Sequence, residues 1–173
     1  MSLDFWDVEH EQSGVYDEEK AKRIDALLEI CRKYDIRVKL TIEHFRHFMG
    51  ENQRWAAKPL HHVSKGGPAE SVADFFEGEE SRAQFKQKLA WYKDRYGNDP
   101  IIFAWELWNE IDAVKEGDYF TWTEIMLAEL QRLFPKNLCL QSLGSFDYAL
   151  KRERYLRMTL MPNNDLAQVH RYL

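Results

Sequence analysis

The chain has 173 residues, enough for one domain with a real core, and its 45% hydrophobic and 14% aromatic content excludes a disordered composition. No apolar run approaches the ~20 residues of a membrane span, and the acidic first stretch shows no basic-then-apolar export signal. The formal net charge of −5 arises largely at the amino end, where Asp4, Asp7, Glu9, Glu11, Asp17, Glu18 and Glu19 face only Lys20, a distribution that repels nucleic-acid phosphates.

From Asp17 to Tyr34, the apolar residues Ile24, Leu27, Leu28, Cys31 and Tyr34 recur at helical spacing, which predicts an amphipathic helix. The β-branched run Ile36 to Ile42 alternates with period two and predicts a strand. A long loop follows. The next helix is predicted to start at Ser81, with Ser81 and Gln84 as a capping box and Phe85, Leu89, Tyr92 and Tyr96 as its buried face, and to stop at Gly97 and Pro100. Ile101 to Trp108 is almost continuously apolar, as a parallel strand covered on both sides would be. Then come a helix with Thr121 and Glu124 as capping pair and Met126, Leu130, Leu133 and Phe134 as its face, and a strand over Asn137 to Leu143. A mixed segment from Phe146 to Met158 leads to a last strand over Asp165 to Tyr172. Cys31 sits in a helical pattern and Cys139 in a strand pattern, so both read as buried small hydrophobes rather than a bridge or a metal pair.

Helices and strands in alternation predict one α/β domain, residues 1–173, built on a parallel sheet. A closed eight-stranded barrel takes typically ~250 residues, whereas this sequence supplies four clear strands and the end of another near Phe5. The expectation is therefore an incomplete (β/α)8 barrel holding about strands 2/3 to 6, cut at both ends. A self-contained doubly wound sheet is the alternative, and it predicts no missing strands. The unpaired edges of an opened barrel would favour dimerisation, although the sequence sets no oligomeric state.

In parallel α/β folds, functional side chains cluster at the carboxyl ends of strands. Four places qualify: Glu43-His44, Asn109-Glu110, Ser142 to Ser145, and His170 with Tyr172. Asn109-Glu110 is the sharpest. A carboxyl group at the mouth of an apolar strand can be desolvated enough to act as an acid, and an adjacent amide can hold a substrate hydroxyl. The structural alternative is that Glu110 caps the following turn or pairs with a lysine.

The segment Trp105-Glu106-Leu107-Trp108-Asn109-Glu110 resembles the fourth-strand signature of clan A glycoside hydrolases, particularly the cellulase and β-mannanase-like enzymes of family 5 type. Gly66-Gly67-Pro68, Asp74-Phe75-Phe76, Phe85-Lys86 and the helix end Asp94-Arg95-Tyr96-Gly97 resemble the stretch that precedes it in mannanase-like members. Val169-His170-Arg171-Tyr172 resembles their sixth-strand pattern. The ordered set runs from about Gly14 onward. The resemblance implies Glu110 as general acid/base and Asn109 as the ligand of the sugar 2-hydroxyl. It also implies that His170 and Tyr172 orient the substrate and the second carboxylate, and that His44 lies at the mouth of the third strand within reach of sugar. The substrate it implies is a β-linked polysaccharide, β-1,4-mannan or glucan, and the parent protein is expected outside the cytoplasm. The mechanism implied is a retaining one whose nucleophile lies on a seventh strand beyond Leu173, so this chain alone is expected to be inactive. A barrel that binds carbohydrate without chemistry is the alternative function.

Phe45 to Pro68 carries Phe45, Phe48, Trp55 and basic groups, which suits a loop over a carbohydrate because indole rings stack on sugar faces; Trp55, and similarly Trp6, are the stacking candidates. The alternative is that these aromatics anchor the loop to the core. The same mixture could suit nucleic acid, but the overall acidity argues against it. His44, His47, His61 and His62 with Glu43 invite a zinc reading, yet no His-Glu-x-x-His pattern is present. No metal and no cofactor is expected.

Overall fold

The computed structural model describes residues 7–48, 60–144 and 149–170. Helix α1 (Glu18–Lys33) begins where the Asp17 side chain accepts hydrogen bonds from the backbone N–H groups of Glu19 and Lys20. Its buried face is Ala21, Ile24, Leu28 and Cys31. Tyr34, which the periodicity assigns to that face, is instead the C-cap and stands 64% exposed, because the chain leaves the helix there and turns through Asp35 at φ 51°. Strand β1 (Val38–His44) is displaced from the expected Ile36–Ile42: Ile36 is exposed, and the strand continues through Glu43 and His44.

Within the expected loop lies a helix that sequence reasoning missed, α2 (Val72–Glu77), capped by the Ser71 hydroxyl and burying Val72, Phe75 and Phe76. It ends at Gly78, and α3 (Glu79–Tyr96) starts at once with no side-chain cap. The expected capping box at Ser81 is therefore corrected: Ser81 sits inside the first turn, buried. Glu79 and Glu80 supply the first-turn negative charge that the helix dipole favours. The face Phe85, Leu89, Tyr92 and Tyr96 is buried as expected, with Lys88 among them.

Strand β2 (Ile102–Asn109) is buried along almost its whole length. Helix α4 (Tyr119–Leu133) starts two residues before the expected cap. Asp118, not Thr121, is the capping residue: its carboxylate accepts from the Thr121 backbone N–H at 3.0 Å and from the Thr121 hydroxyl at 2.6 Å. The strand expected over Asn137–Leu143 is two, β3 (Leu138–Leu140) and β4 (Ser142–Leu143), because the chain changes partner at Gln141: β3 pairs with β2, and β4 with β5. After α5 (Ala149–Thr159) comes β5 (Gln168–Val169). Asp165, expected inside that last strand, lies before it, where its carboxylate accepts from the Cys139 N–H at 2.8 Å. Arg171, Tyr172 and Leu173 lie outside the described residues, as do Trp6 and Trp55.

All strand pairs are parallel, and the order β1-β2-β3, then β4-β5, follows the sequence without reversal. A doubly wound sheet reverses its strand order at a switch point; here the three-stranded sheet β1-β2-β3 and the two-stranded sheet β4-β5 each run in chain order, as segments of a barrel wall do. Helices α2, α3 and α4 clamp β2 through an aromatic core. Trp105 lies 4.4 Å from Phe134 between ring centroids, Phe85 4.7 Å from Trp122, and Trp108 4.9 Å from Phe48. Edge-on pairs such as Trp108 with Trp122, at 89° between ring planes, add to the burial they share. Both cysteines are buried free thiols, and burial with the nearby Asp165 pushes the Cys139 thiol up to about 12, so it is unreactive. Among the described residues, no helix is long and apolar enough to cross a membrane.

The cap assignment is testable by denaturant unfolding. Asp118→Ala should cost about 1 kcal/mol of stability, whereas Glu124→Ala, at the partner position of the rejected box, should stay within about 0.5 kcal/mol.

Candidate active site

The parallel register lines up the strand ends that carry polar groups. His44 at the end of β1 is the register partner of Asn109 at the end of β2, and Ser142 on β4 is the partner of Gln168 on β5. One residue past β2, Glu110 takes the left-handed conformation, φ 55° and ψ 54°. That conformation costs a non-glycine residue on the order of 1–3 kcal/mol and persists only where neighbours over-determine it.

The neighbours are on β4 and the residues flanking it. The Glu110 N–H donates to the Ser142 hydroxyl at 3.1 Å, and that hydroxyl donates to the Trp108 carbonyl at 3.4 Å. The Gln141 amide donates to the same Trp108 carbonyl at 2.5 Å and to the Ser142 carbonyl at 2.8 Å. Beyond the turn, the Gly144 N–H donates to the Asp112 carboxylate at 2.6 Å. The segment after β2 is thus tied to β4 at both ends.

This turn delivers the Glu110 carboxyl to His170, whose Nδ1 lies 2.7 Å from Glu110 Oε1. The two side chains are 14% and 26% exposed, so each is largely withdrawn from water yet reachable. His170 is itself fixed by its N–H donating to the Leu143 carbonyl at 3.1 Å, and its Nε2 lies 2.9 Å from the Gln168 amide nitrogen. An amide nitrogen can only donate, so in this arrangement Nε2 carries the lone pair and Nδ1 carries the proton directed at Glu110. Such a carboxyl, held past a strand end against an imidazole and only partly withdrawn from water, is placed to exchange a proton with a ligand.

Of the sequence-predicted site residues, Glu110 and His170 are brought together, with Asn109 adjoining in the chain. His44 lies on the neighbouring strand end, its Nε2 2.9 Å from Asp7 Oδ2. Tyr172 and Trp55 lie outside the described residues.

Glu43 and His61 belong to a different, fully buried cluster. Lys88 Nζ lies 2.7 Å from Glu9 Oε2 and 2.9 Å from Glu43 Oε2; His61 bridges Glu43 Oε2 at 3.1 Å and the Ser13 hydroxyl at 2.7 Å. Glu9, Glu43 and His61 are near enough to share a metal ion, but the Lys88 ammonium already sits between the two carboxylates as their cation. His62 stands apart from this cluster, where its Nδ1 accepts from the Ser64 N–H at 3.1 Å and caps a 3-10 turn. Burial pushes the Glu9 carboxyl up, yet Lys88 and then His61 outweigh it, and the net shift is downward. For Lys88, burial works against the charge, but Glu43 and Glu9 prevail and hold it well above the ordinary lysine range. Sequence reasoning missed Glu9 and Lys88 as partners of Glu43; the available signal was a lysine on the apolar stripe Phe85, Leu89, Tyr92. Glu106, also buried, is bonded by Lys39 and, at 2.5 Å, by the Thr41 hydroxyl.

Removing the ammonium should leave two buried carboxylates without a cation, so Lys88→Ala should cost about 3–5 kcal/mol in urea unfolding. Because the folded Glu9 carboxyl lies below its ordinary value, its contribution is present above the unfolded pKa of about 4.3 and is lost as pH falls through the folded value. The wild-type chain should therefore show an acid stability loss that Glu9→Gln diminishes.

No family model matches the chain. A putative mannan endo-1,4-β-mannosidase 5 of rice, Oryza sativa subsp. japonica, is 29% identical over 176 residues, covering 94% of this chain and 34% of the relative. Mannan endo-1,4-β-mannosidase 3 of rice is 31% identical over 134 residues, covering 69% of this chain and 27% of the relative. The chain thus spans about a third, or less, of the curated relatives it matches. Among solved structures, the glycoside hydrolase family 5 mannosidase from Rhizomucor miehei superposes with a TM-score of 0.63 at 17% identity, covering 88% of this chain and 40% of that one. Endo-glycoceramidase II from Rhodococcus sp. superposes with a TM-score of 0.55 at 13% identity, covering 79% of this chain and 39% of that one. The parallel strand order and these likenesses agree on the fold: the chain is a partial (β/α) barrel, similar in sequence to mannan endo-1,4-β-mannosidases and in structure to glycoside hydrolase family 5 mannosidases.

Proposed function

We propose that this chain supplies the acid/base side of the active site of a retaining glycoside hydrolase acting on β-1,4-mannan. The observation that carries the reading is the 2.7 Å contact between Glu110 and His170, which holds a partly withdrawn carboxyl at the rim of the sheet. Glu110 would protonate the departing glycosidic oxygen and, in the second half of the reaction, take a proton from the incoming water. Asn109, adjoining it, would bind the 2-hydroxyl of the sugar beside the scissile bond. His170 would orient Glu110, while Tyr172, His44 and Trp55 would contact the sugar.

A retaining mechanism needs a second carboxylate roughly 5–5.5 Å from the first to attack the anomeric carbon. Neither Glu43 nor Glu106 suits that role, since each is buried and bonded to a lysine. The nucleophile is therefore assigned to a strand outside these residues. The choice of mannan rests on the likeness to the rice mannan endo-1,4-β-mannosidases. Action on an extracellular polymer would make the whole protein a secreted one.

Two measurements test this. The 173-residue chain alone should release no reducing sugar from mannan or glucan; turnover abolished by Glu110→Gln would place the nucleophile within the chain and overturn its assignment elsewhere. In a whole barrel made by joining this chain to the remaining strands of a rice relative, Glu110→Ala should lower kcat/KM on mannan by roughly 10²- to 10⁴-fold. The same variant should lose far less on an aryl mannoside whose leaving group needs no proton. Equal losses on both substrates would remove Glu110 from the acid role.

A further inference from the structure

We propose that Ser142 is the positioning residue for Glu110: its hydroxyl fixes the left-handed turn that aims the carboxyl at His170. Three observations on different strands converge. Glu110 has φ 55°, a conformation its side chain type rarely adopts, and it sits where the β2 ladder ends. An N–H released from the ladder at that point has to find another acceptor, and it donates to Ser142 Oγ at 3.1 Å. The same oxygen passes its own proton to the Trp108 carbonyl at 3.4 Å. One fully buried hydroxyl therefore accepts from Glu110 and donates two residues back, closing the turn on itself. A hydroxyl can do both at once, which neither a methyl group nor an ammonium can.

Placement explains why that group comes from β4. Ser142 is the register partner of Gln168, two residues before His170, so the strand that holds the Glu110 backbone is also the strand that β5 pairs with. Gln141 next to it also holds the Trp108 carbonyl, at 2.5 Å, but no bond links it to the Glu110 N–H. The two neighbours thus separate a general tie to β2 from a specific hold on Glu110.

The role in catalysis rests on the reading of Glu110 as the acid/base. The geometric claim is tested by a signal that needs no turnover, so either can fail without the other. Proton NMR of the full chain should show a protected imidazole N–H resonance from His170 Nδ1, assigned by its disappearance in Glu110→Ala. Ser142→Ala should lose or strongly broaden that resonance, Ser142→Thr should restore it, and Gln141→Ala should keep it. Retention in Ser142→Ala overturns the proposal. Loss in both Ser142→Ala and Gln141→Ala also overturns it, since the site would then respond only to general loosening of β4. If Ser142→Thr is too crowded to fold, the contrast between the two alanine variants still decides. In the joined barrel, Ser142→Ala should lower kcat more than it raises KM.

Discussion

A carboxyl and an imidazole separated by 60 positions in the chain meet at 2.7 Å, and the site depends on that meeting. Neither residue could arrange it locally. Glu110 follows β2 in a three-stranded parallel sheet, His170 follows β5 in a two-stranded parallel one, and the strands of both succeed one another in sequence order. Parallel pairing brings every carboxyl end to the same rim, so residues that end different strands become neighbours. The left-handed turn at Glu110 then spends part of the stability of the sheet on aiming a single side chain.

The rigidity needed for this comes from the layer behind the sheet. Trp105, Trp108 and Trp122 are fully buried, and Phe75, Phe76 and Phe85 pack among them at ring separations of about 5 to 6 Å, within the range where aromatic pairs gain beyond their area. The motif strand is thereby held from the helix side while the Trp108 carbonyl near its end is held by Gln141 and by Ser142 of β4. Small shifts of either anchor would move the carboxyl, which is why a site of this kind is built on strands and not on a free loop.

Much of this was legible in the sequence, and the parts that were not have identifiable causes. The apolar run before Asn109-Glu110 announced a buried parallel strand, and Val169-His170 announced a second rim, because both signals are local. The capping boxes at Ser81 and Thr121 failed for opposite reasons. At Ser81 a preceding helix, α2, had already ended at Gly78 and left no room for a cap; at Asp118 a stronger acceptor stood three residues earlier. The break at Gln141 could not be read at all, since it arises from a change of partner strand, which is a property of the sheet and leaves no mark on the periodicity of a seven-residue run. Lys88 was readable in principle, as a cation on an apolar stripe, but its partners Glu9 and Glu43 come from segments far apart in the chain.

Glu43 and Glu110 make the last point by contrast. Both occur beside a strand end, each next to a residue with hydrogen-bonding capacity, and composition gives no reason to prefer one. Glu43 is 1% exposed and faces an ammonium at 2.9 Å, so its negative charge is balanced and its oxygens are committed to Lys88, His61 and the His44 N–H. Beside Glu110 stands instead the His170 imidazole, 2.7 Å from Oε1, and the Glu110 side chain keeps 14% exposure. The fold thus gives two carboxyls of similar sequence setting different surroundings, a buried ammonium for Glu43 and a partly exposed imidazole past the strand ends for Glu110, and it is the order of the strands that decides which partner each meets.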